Sequence, residues 1–199
     1  MKKSLLACTL VLGCVLAHAE APSKWRFLGR VGMGFGSAAL DSGIYQGGTS
    51  WELSAGNGLK YALGADYRIS EKVTLQATVG KELSTVPASN GDLTFNRTPV
   101  ELLGFVDLSK DFRLGAGLRN STNSSVSSSG AGNNYPSIGN WSASVGAVVE
   151  AQYIFDSKMK ADGGVSQFGV NLRLVSENFT KDAVTKSGDH YEVGVFLYY

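Results

Sequence analysis

The sequence predicts an all-β fold, an eight-stranded antiparallel up-and-down barrel, and three observations support this prediction. Eight segments of about ten residues alternate apolar residues with polar or small ones, a period of two that is typical of β-strands. No segment after residue 19 shows the period of about 3.6 residues expected of an amphipathic helix. The connections run long, short, long, short, long, medium and long, which places long and short connections at opposite ends of a barrel.

Residues 1–19 have the anatomy of a cleaved signal peptide. A basic start at Lys2–Lys3 precedes a short apolar segment, Leu5–Leu16, and Ala17–Ala19 reads Ala-His-Ala, a small-residue cleavage site. The apolar segment is too short to span a membrane and lacks a basic flank after it, which argues against a membrane anchor. Cleavage at this site leaves one domain, residues 20–199, the default for a chain of 199 residues.

Both cysteines of the chain, Cys8 and Cys14, lie in this leader segment. The domain that follows is therefore predicted to contain neither a disulfide framework nor a thiolate metal site. The alternative to cleavage after Ala19 is a lipoprotein, because Val11–Cys14 resembles a lipoprotein cleavage box in which Cys14 would be lipidated. The residues before the glycine fit that box poorly, so cleavage after Ala19 is the preferred prediction.

The balance of charges gives no sign of a nucleic-acid partner. The chain has 18 Lys and Arg residues against 17 Asp and Glu residues, a formal net charge of +1. No stretch after residue 19 approaches the roughly 18 consecutive apolar residues of a transmembrane helix. A membrane crossing by this domain would therefore use strands.

The first three strands are predicted over residues 26–36, 59–69 and 73–80. In the first, aromatic and aliphatic residues share one face, while arginines and glycines share the other. The second and third place apolar residues at every odd position, opposite a face rich in charged residues, threonine and glycine. Residues 70–72 connect these two strands tightly, whereas longer polar stretches flank the pair.

The fourth and fifth strands are predicted over residues 98–108 and 112–119. The fourth is the least regular, because Leu103 and Phe105 lie on the face of its charged residues. The fifth alternates apolar residues with arginine and glycine throughout. Residues 120–140 are mostly Ser, Asn and Gly, and this composition predicts a mobile loop within the domain.

The last three strands are predicted over residues 141–155, 166–174 and 190–199. Each carries apolar residues at alternate positions, opposite polar residues, charged residues and glycine. A medium connection, residues 156–164, joins the first two of these strands. A polar loop, residues 176–189, leads to the final strand.

The apolar faces are predicted to point outward, and the opposite faces into a narrow interior. Glycine occurs mainly on the charged face, which suits the interior of an eight-stranded barrel and would only weaken a solvent-exposed face. Arginine, which grips a carboxylate in two places, outnumbers lysine on that face. The predicted charge network of the lumen comprises Arg26, Arg30, Lys60, Asp66, Arg68, Glu82, Glu101, Asp107, Arg113, Arg119, Glu150, Arg173 and Glu192.

Charges of both signs in a narrow tube are expected to pair with one another and to obstruct it. Glu150 and Glu192 are the predicted partners of Arg30, Arg113 or Arg173. The stagger of the strands sets the actual pairs, and the sequence does not specify it. Alternation alone also fits a soluble lipocalin-like carrier, in which the apolar faces would point inward.

Aromatic residues on the apolar faces are predicted to form two girdles around an aliphatic band, an arrangement that lipid interfaces favour. One girdle, at the rim where both ends of the domain lie, comprises Phe27, Tyr67, Phe112, Tyr153, Phe155, Phe168 and Tyr199. The other, at the opposite rim, comprises Phe35, Tyr61, Trp141 and Tyr191.

The final strand resembles the C-terminal signal of bacterial outer-membrane β-barrels. Glu192, Gly194, Leu197 and Tyr199 match its polar, glycine, hydrophobic and aromatic positions in order, with Leu197 where an aromatic residue is usual. Because of this strand and the alternation along the whole domain, the domain resembles the small outer-membrane barrels of the OmpA transmembrane, OmpX and opacity-protein type. The resemblance implies a monomer that contacts outer-membrane lipid in a Gram-negative bacterium and is assembled by the barrel assembly machinery.

No catalytic, cofactor or metal site is predicted. His190 is the only histidine after residue 19, and no serine follows it at the second position, as it would in barrels that resemble lipid A deacylases. Ser176 or Ser187 could approach His190 in the fold, but serine is abundant here, and His190 is predicted to be a rim residue. A single histidine without cysteine disfavours a transition-metal site.

These features predict an integral outer-membrane barrel with a structural or surface-interaction role through long loops and a plugged lumen. The alternatives are a narrow pore for small solutes or ions, a barrel enzyme that acts on lipid, and the soluble carrier. The Ser-, Gly- and Asn-rich loops do not specify an extracellular ligand.

Overall fold

Eight antiparallel strands close into a barrel, which confirms the predicted fold class. A computed structural model of the chain describes residues 24–45, 47–87, 91–130, 135–155, 160–161, 164–165 and 167–199. The signal peptide predicted for residues 1–19 and the alternative lipidation of Cys14 lie outside the described residues. Among the described residues, no helix is long and apolar enough to cross a membrane.

Each barrel strand pairs with its neighbours in chain order, and the last pairs with the first. The strands are β1 (Trp25–Phe35), β2 (Gly58–Arg68), β3 (Val73–Val86), β4 (Leu93–Asp107), β5 (Phe112–Ser128), β6 (Val145–Phe155), β7 (Gln167–Ser176) and β8 (His190–Tyr198). Gly32 of β1 lies opposite Gly194 of β8. Phe27 and Tyr199 exchange both backbone hydrogen bonds, at 3.0 and 2.9 Å, which closes the barrel without a free sheet edge.

The short connections share one rim with the start of β1 and the end of β8, which we name the turn rim. The long connections share the opposite rim, the loop rim, as the alternating connection lengths predict. The loop rim carries the short strands Ala39–Ile44, Ser50–Ser54, Gly139–Ala143, Asn178–Lys181 and Val184–Ser187, and another pair, Lys160–Ala161 and Gly164–Val165, lies in the connection from β6 to β7.

Three strands are longer than the alternation predicts. β3, β4 and β5 contain 14, 15 and 17 residues, whereas a tilted strand needs only about 9–11 residues to cross a bilayer. The prediction of a loop over residues 120–140 is wrong for residues 120–128, which form the end of β5, and for residues 139–140, which begin a short strand. Residues 131–134 lie outside the described residues. The extended ends of β3, β4 and β5 pair with one another beyond the wall of the eight-stranded barrel. Residues there do not have to alternate between an apolar outer face and a polar lumen face.

An irregularity in β5 changes which side chains point inward. Asn96 of β4 pairs with Ser125, but Thr98 pairs with Thr122, so β5 has one extra residue at this point. Asn123 there has a φ of 50°, a left-handed conformation found in β-bulges. Arg119 is buried before the bulge and an even-numbered residue, Val126, is buried after it, because the extra residue reverses the facing of the strand.

The predicted strand over residues 141–155 is broken at Ser144. Trp141 pairs with Ser124 beyond the bulge, whereas Val145 pairs with Asn120 in the barrel wall. Val145 is exposed, and Trp141 is buried. The continuous alternation across residues 141–155 therefore joins two segments that face opposite ways.

An apolar cluster seals the loop rim, and we name it the loop-end cap. It consists of Leu40, Leu53, Ala55, Leu93, Phe95, Val126, Trp141 and Phe179. The rings of Phe95 and Phe179 pack edge to face with their centroids 5.3 Å apart. The strand extensions and the short loop strands supply all of these residues except Ala55, so the long connections form a packed β-structure above the barrel.

A glycine on the inner face makes room for an aromatic ring of the adjacent strand. A Cβ atom on Gly115 would lie 2.5 Å from the ring of Phe105, whereas a Cβ atom on Gly104, on the outer face, would meet nothing within 4 Å. We expect Gly115→Ala to lower the free energy of unfolding by about 1–3 kcal/mol through overpacking. Gly104→Ala is the matched control and should leave the unfolding midpoint in urea unchanged; equal midpoints for both variants would contradict this account.

Candidate functional site

The centre of the lumen is organised around the Glu101 carboxylate. It lies 3.2 Å from the guanidinium of Arg30, 3.0 Å from that of Arg119 and 2.6 Å from that of Arg173. The hydroxyl of Thr78 donates a further hydrogen bond to it at 3.0 Å. These partners come from four different strands, β1, β3, β5 and β7, so Glu101 in β4 connects non-adjacent strands across the barrel.

Glu150 is a second acceptor at the same level. Its carboxylate lies 3.0 Å from Arg173 and 3.5 Å from Arg30. The amides of Gln152 and Asn171 donate hydrogen bonds to it at 2.6 and 2.8 Å. Four side chains therefore contact the Glu150 carboxylate, two at each oxygen.

Towards the loop rim, Glu82 and Glu177 hold a second group of cations. Glu82 contacts Lys60 at 2.7 Å, Arg97 at 2.5 Å and Arg119 at 2.7 Å. Glu177 contacts Arg97 at 2.9 Å and Arg119 at 3.2 Å. Because Arg119 also contacts the central carboxylates, the two levels form one continuous network.

Arg97 joins this network to the loop-end cap. Its guanidinium carbon lies 4.9 Å from the ring centroid of Phe179 and 5.8 Å from that of Phe95. Arg97 is fully buried, with its guanidinium paired to carboxylates and its planar group against aromatic rings of the cap. The charged network of the lumen and the loop-end cap are therefore in direct contact at Arg97.

His190 is the first residue of β8, at the loop rim as predicted, and its side chain is buried within this network. Its Nε2 lies 2.8 Å from Glu192, its Nδ1 donates to the carbonyl of Gly188 at 2.5 Å, and the side chain is buried. Gly188 belongs to the loop between β7 and β8, so this loop supplies one of the two partners of the imidazole. Among the described residues, neither ring nitrogen contacts a serine hydroxyl, so the geometry offers no activated nucleophile here.

One group of side chains has the composition of a metal site. The ligand atoms of Glu82, His190 and Glu192 lie within 4.8 Å of one another. The Lys60 ammonium already lies 2.7 Å from Glu82 and 3.5 Å from Glu192. This ammonium already contacts two of the three possible ligand residues, so the arrangement fits an internal ion pair better than a metal.

A separate polar group lies near the turn rim. Asp66 contacts Arg26 at 3.1 Å and Arg113 at 3.0 Å, and accepts a hydrogen bond from Gln76 at 2.8 Å. The Tyr198 hydroxyl accepts hydrogen bonds from Arg113 and from Gln76. The Arg113 guanidinium also lies 4.3 Å from the ring centroid of Phe105, so side chains fill this end of the lumen as well.

The charges of the central and loop-rim levels balance. Five cations face five carboxylates there, with His190 left aside: Arg30, Lys60, Arg97, Arg119 and Arg173 against Glu82, Glu101, Glu150, Glu177 and Glu192. All ten side chains are at most 9% exposed. Removing any member would leave a buried charge without compensation.

The structure brings together most of the predicted network residues. Arg68 and Asp107 are the exceptions: Arg68 is exposed, Asp107 is half-buried, and neither makes an ion pair among the described residues. Both occupy the last positions of their strands at the turn rim, beyond the closed part of the lumen. The remaining members are ion-paired inside the barrel: Arg26, Arg30, Lys60, Asp66, Glu82, Glu101, Arg113, Arg119, Glu150, Arg173 and Glu192.

The sequence prediction missed two charged members of the network. Arg97 precedes the predicted start of its strand at residue 98, and Glu177 falls in a predicted loop. Both continue the inward alternation of their strands, since Arg97 lies four residues before Glu101 and Glu177 lies four residues after Arg173. Extending each strand with the same alternation would have identified them.

The predicted aromatic girdles lie on the outer surface, with one exception. Trp141 is buried in the loop-end cap, where its Nε1 donates to the carbonyl of Ser137 at 2.8 Å, because the break at Ser144 turns it inward. The rings of Phe155 and Phe168 stack near the turn rim at 4.8 Å. Exposed or half-exposed outer positions are occupied by Phe27, Phe35, Tyr61, Tyr67, Phe112, Tyr153, Phe155, Phe168, Tyr191 and Tyr199.

The four residues that match the C-terminal signal lie on two faces. The Glu192 carboxylate points into the lumen, where it contacts Arg173, and Gly194 lies beside Asn171 of the adjacent strand. Leu197 and Tyr199 are exposed on the outer face. One strand therefore presents both a lumen partner and an outward hydrophobic pattern.

No family model matches the chain, and no curated protein sequence matches it. Solved structures similar to it include neisserial surface protein A, at 13% identity, a TM-score of 0.49 and coverage of 90% of this chain and 98% of that chain. The outer membrane protein OprG from Pseudomonas aeruginosa is 10% identical, with a TM-score of 0.45 and coverage of 88% of this chain and 95% of that chain. The outer membrane protein AlkL is 13% identical, with a TM-score of 0.40 and coverage of 92% of this chain and 90% of that chain. Identities and scores this low do not assign a function.

Proposed function

We propose that this protein is an integral outer-membrane β-barrel of a Gram-negative bacterium, with a plugged lumen and a surface-interaction role for its loop end. One observation carries the proposal: the barrel is apolar outside and ionised inside, the reverse of a water-soluble protein. We further propose that it is a monomer, exported with a cleaved signal peptide and folded by the barrel assembly machinery. The proposal assigns it no catalytic, cofactor or metal site.

The outer surface of the barrel supports the membrane location. Contiguous exposed apolar surface of this extent is rare on soluble proteins and typical of lipid contact. Aromatic rings lie near both rims of this surface, where membrane interfaces favour them. The exposed aliphatic residues between the rims include Val31, Leu63, Val79, Val100, Leu102, Leu118, Val149, Val170, Leu172, Val193 and Val195.

The interior supports a plugged barrel over the alternative of a pore. Eight strands enclose a space that side chains alone can fill. Here the ion-paired network fills the centre, the Tyr198 group fills the turn-rim end, and the loop-end cap covers the other end. A solute crossing this path would have to separate buried ion pairs.

We expect no steady conductance from the refolded wild-type protein in a planar lipid bilayer, because the charge network and the cap obstruct the lumen. A general porin reconstituted in the same bilayer serves as the positive control. Large, stable, ohmic channels from this protein would contradict the plugged lumen and favour the alternative function, a pore for small solutes or ions.

We also expect the protein to fractionate with outer membranes and to migrate on gels in a heat-modifiable manner, as closed barrels do. The physical reason is the apolar outer surface, which needs lipid or detergent to cover it. Recovery from the soluble periplasmic fraction without detergent would overturn the membrane location in favour of a carrier.

A further inference from the structure

We propose that a cavity at the loop rim binds a small anion, a carboxylate with a short apolar body. The cavity has a volume of about 290 Å³. It is lined by residues of the strand Ala39–Ile44, the segment 136–137, Trp141 and the hairpin of Asn178–Lys181 and Val184–Ser187. Typical ligand sites have volumes of roughly 300–1,000 Å³, so this cavity suits a small ligand. None of its charged groups takes part in the lumen network.

The register of the hairpin places two lysines at the cavity wall. Phe179, a buried member of the cap, lies opposite Lys186, and Lys181 lies opposite Val184. Side chains that are directly opposite each other, or two positions apart along a strand, share one face of a sheet. Lys181, Val184 and Lys186 therefore lie on the same face as the buried Phe179, and all three line the cavity.

The two ammonium groups favour an anionic ligand. The Lys186 side chain is half-buried, and within the described part of the chain it forms no ion pair. The Lys181 ammonium lies 2.7 Å from Asp182, but the Asp182 side chain is 82% exposed, so water screens this pair. Lys181 also donates a hydrogen bond to the carbonyl of Pro136 at 2.9 Å, which holds its ammonium in place. An anion in the cavity would supply Lys186 with a partner and Lys181 with a second one.

A nearby buried carboxylate does not contact the space that a ligand would enter. Its Asp41 Oδ1 atom accepts a hydrogen bond from the backbone N–H of Ser42 at 2.8 Å, and its Oδ2 atom is closed off from solvent. The hydroxyl of Ser137 is closed off in the same way. The ligand therefore meets the two lysines directly, whereas the Asp41 charge acts on it only from a distance and weakens the binding of an anion.

The remainder of the wall is apolar, which favours a carboxylate with an apolar body over a bare inorganic anion. Leu40, Pro136, Trp141 and Val184 form this part of the wall. Val184 is 52% exposed, whereas Leu40 and Trp141 are buried members of the cap. Covering exposed apolar surface stabilises a complex, so the apolar body of the ligand adds to the attraction between the charges.

This inference deepens the proposed surface-interaction role and rests on it, because the anion would be reached from outside the cell. The two can nevertheless fail independently. Conductance and fractionation test the plugged membrane barrel, whereas anion binding is measured on purified protein in detergent and does not depend on a closed lumen.

The test follows the backbone amide signals of the isotope-labelled protein in detergent micelles by NMR. Benzoate, benzamide and benzamidine have nearly the same shape and are anionic, neutral and cationic. We expect benzoate to shift the amide signals of Lys181, Val184 and Lys186 saturably, with a dissociation constant of about 1–10 mM. Benzamide and benzamidine should each bind about fivefold more weakly or worse, because they lack the negative charge.

Three variants locate the binding. Lys186→Gln should weaken benzoate binding about fivefold and remove the preference for benzoate over benzamide. Lys72→Gln, which removes an exposed lysine at the turn rim, is the matched control and should bind as the wild type does. Asp182→Asn should strengthen benzoate binding about twofold, because it removes the carboxylate that competes for Lys181. Asparagine tolerates the φ of 48° at this position, so the hairpin should be kept.

Heat-modifiable migration of each variant shows that it is folded. The proposal is overturned if benzoate does not shift the cavity amides of folded wild-type protein saturably, or if benzamide binds as tightly as benzoate. It is also overturned if folded Lys186→Gln binds benzoate as the wild type does. Tighter binding of inorganic phosphate than of benzoate at these amides would overturn the choice of a ligand with an apolar body.

Discussion

Replacing Glu101 with alanine should lower the free energy of unfolding by about 3–5 kcal/mol, the cost of removing one partner from a buried ion pair. The substitution leaves Arg30, Arg119 and Arg173 without their shared carboxylate in the centre of the lumen. The side chains of these arginines are at most 9% exposed, so little water reaches them to replace the carboxylate. The measurement is the unfolding midpoint in urea of protein refolded into lipid vesicles.

Two comparisons make the Glu101 experiment specific. Glu71→Ala removes an exposed carboxylate at a short connection and should leave the midpoint unchanged. Glu150→Ala should lower the midpoint by less than Glu101→Ala, because Glu150 contacts two arginines and Glu101 contacts three. A change of less than about 1 kcal/mol for Glu101→Ala, the value of an exposed pair, would show that the network does not stabilise the barrel.

Tyr199→Ser should reduce the amount of folded protein in cells several-fold while leaving the urea midpoint of the purified barrel unchanged. The Tyr199 ring is exposed, and the backbone hydrogen bonds to Phe27 do not depend on the side chain. Its expected role lies in recognition by the assembly machinery, as the resemblance of the final strand implies. The measurement is the heat-modifiable fraction in outer membranes beside the unfolding midpoint in vesicles.

The neighbouring residue provides the opposite case. Tyr198→Phe removes a buried hydroxyl that accepts hydrogen bonds from Arg113 and Gln76, so it should lower the midpoint but leave assembly in cells largely intact. Equal effects of the two variants on folded yield would mean that the outward aromatic position has no special role. Wild-type yield for Tyr199→Ser would likewise contradict the assembly signal.

The alternation predicted the eight strands and their two faces because successive residues of a barrel strand point alternately to the outer surface and to the lumen. The alternation left the fourth strand irregular, and the structure gives the reason: Leu103 and Phe105 point inward, where they are fully buried beside inner-face glycines. These two apolar residues on the charged face therefore fill part of the lumen, and they do not indicate a shift in the register of the strand.

Beyond the barrel wall the same reasoning fails. The end of β5 is rich in serine and asparagine, and its strand state comes from pairing with β4, which no local pattern encodes. Trp141 was assigned to the wrong face because a bulge at Asn123 and a break at Ser144 reverse the facing of adjacent strands. Individual ion pairs such as Arg30 with Glu101 join strands far apart in sequence, and only the stagger of the closed barrel determines them.

The contacts that Glu101 makes across the lumen also bear on how the proposed membrane barrel would insert into a bilayer. Its cationic partners belong to β1, β5 and β7, whereas Glu101 itself belongs to β4. A half-inserted sheet of the first four strands would turn Glu101 towards lipid without Arg119 and Arg173, two of its three cationic partners, and ionised groups in that environment are costly. Stepwise insertion of single hairpins would therefore pass through states of high free energy. For the proposed membrane barrel, we therefore expect the first and last strands to come together before, or as, the chain crosses the bilayer.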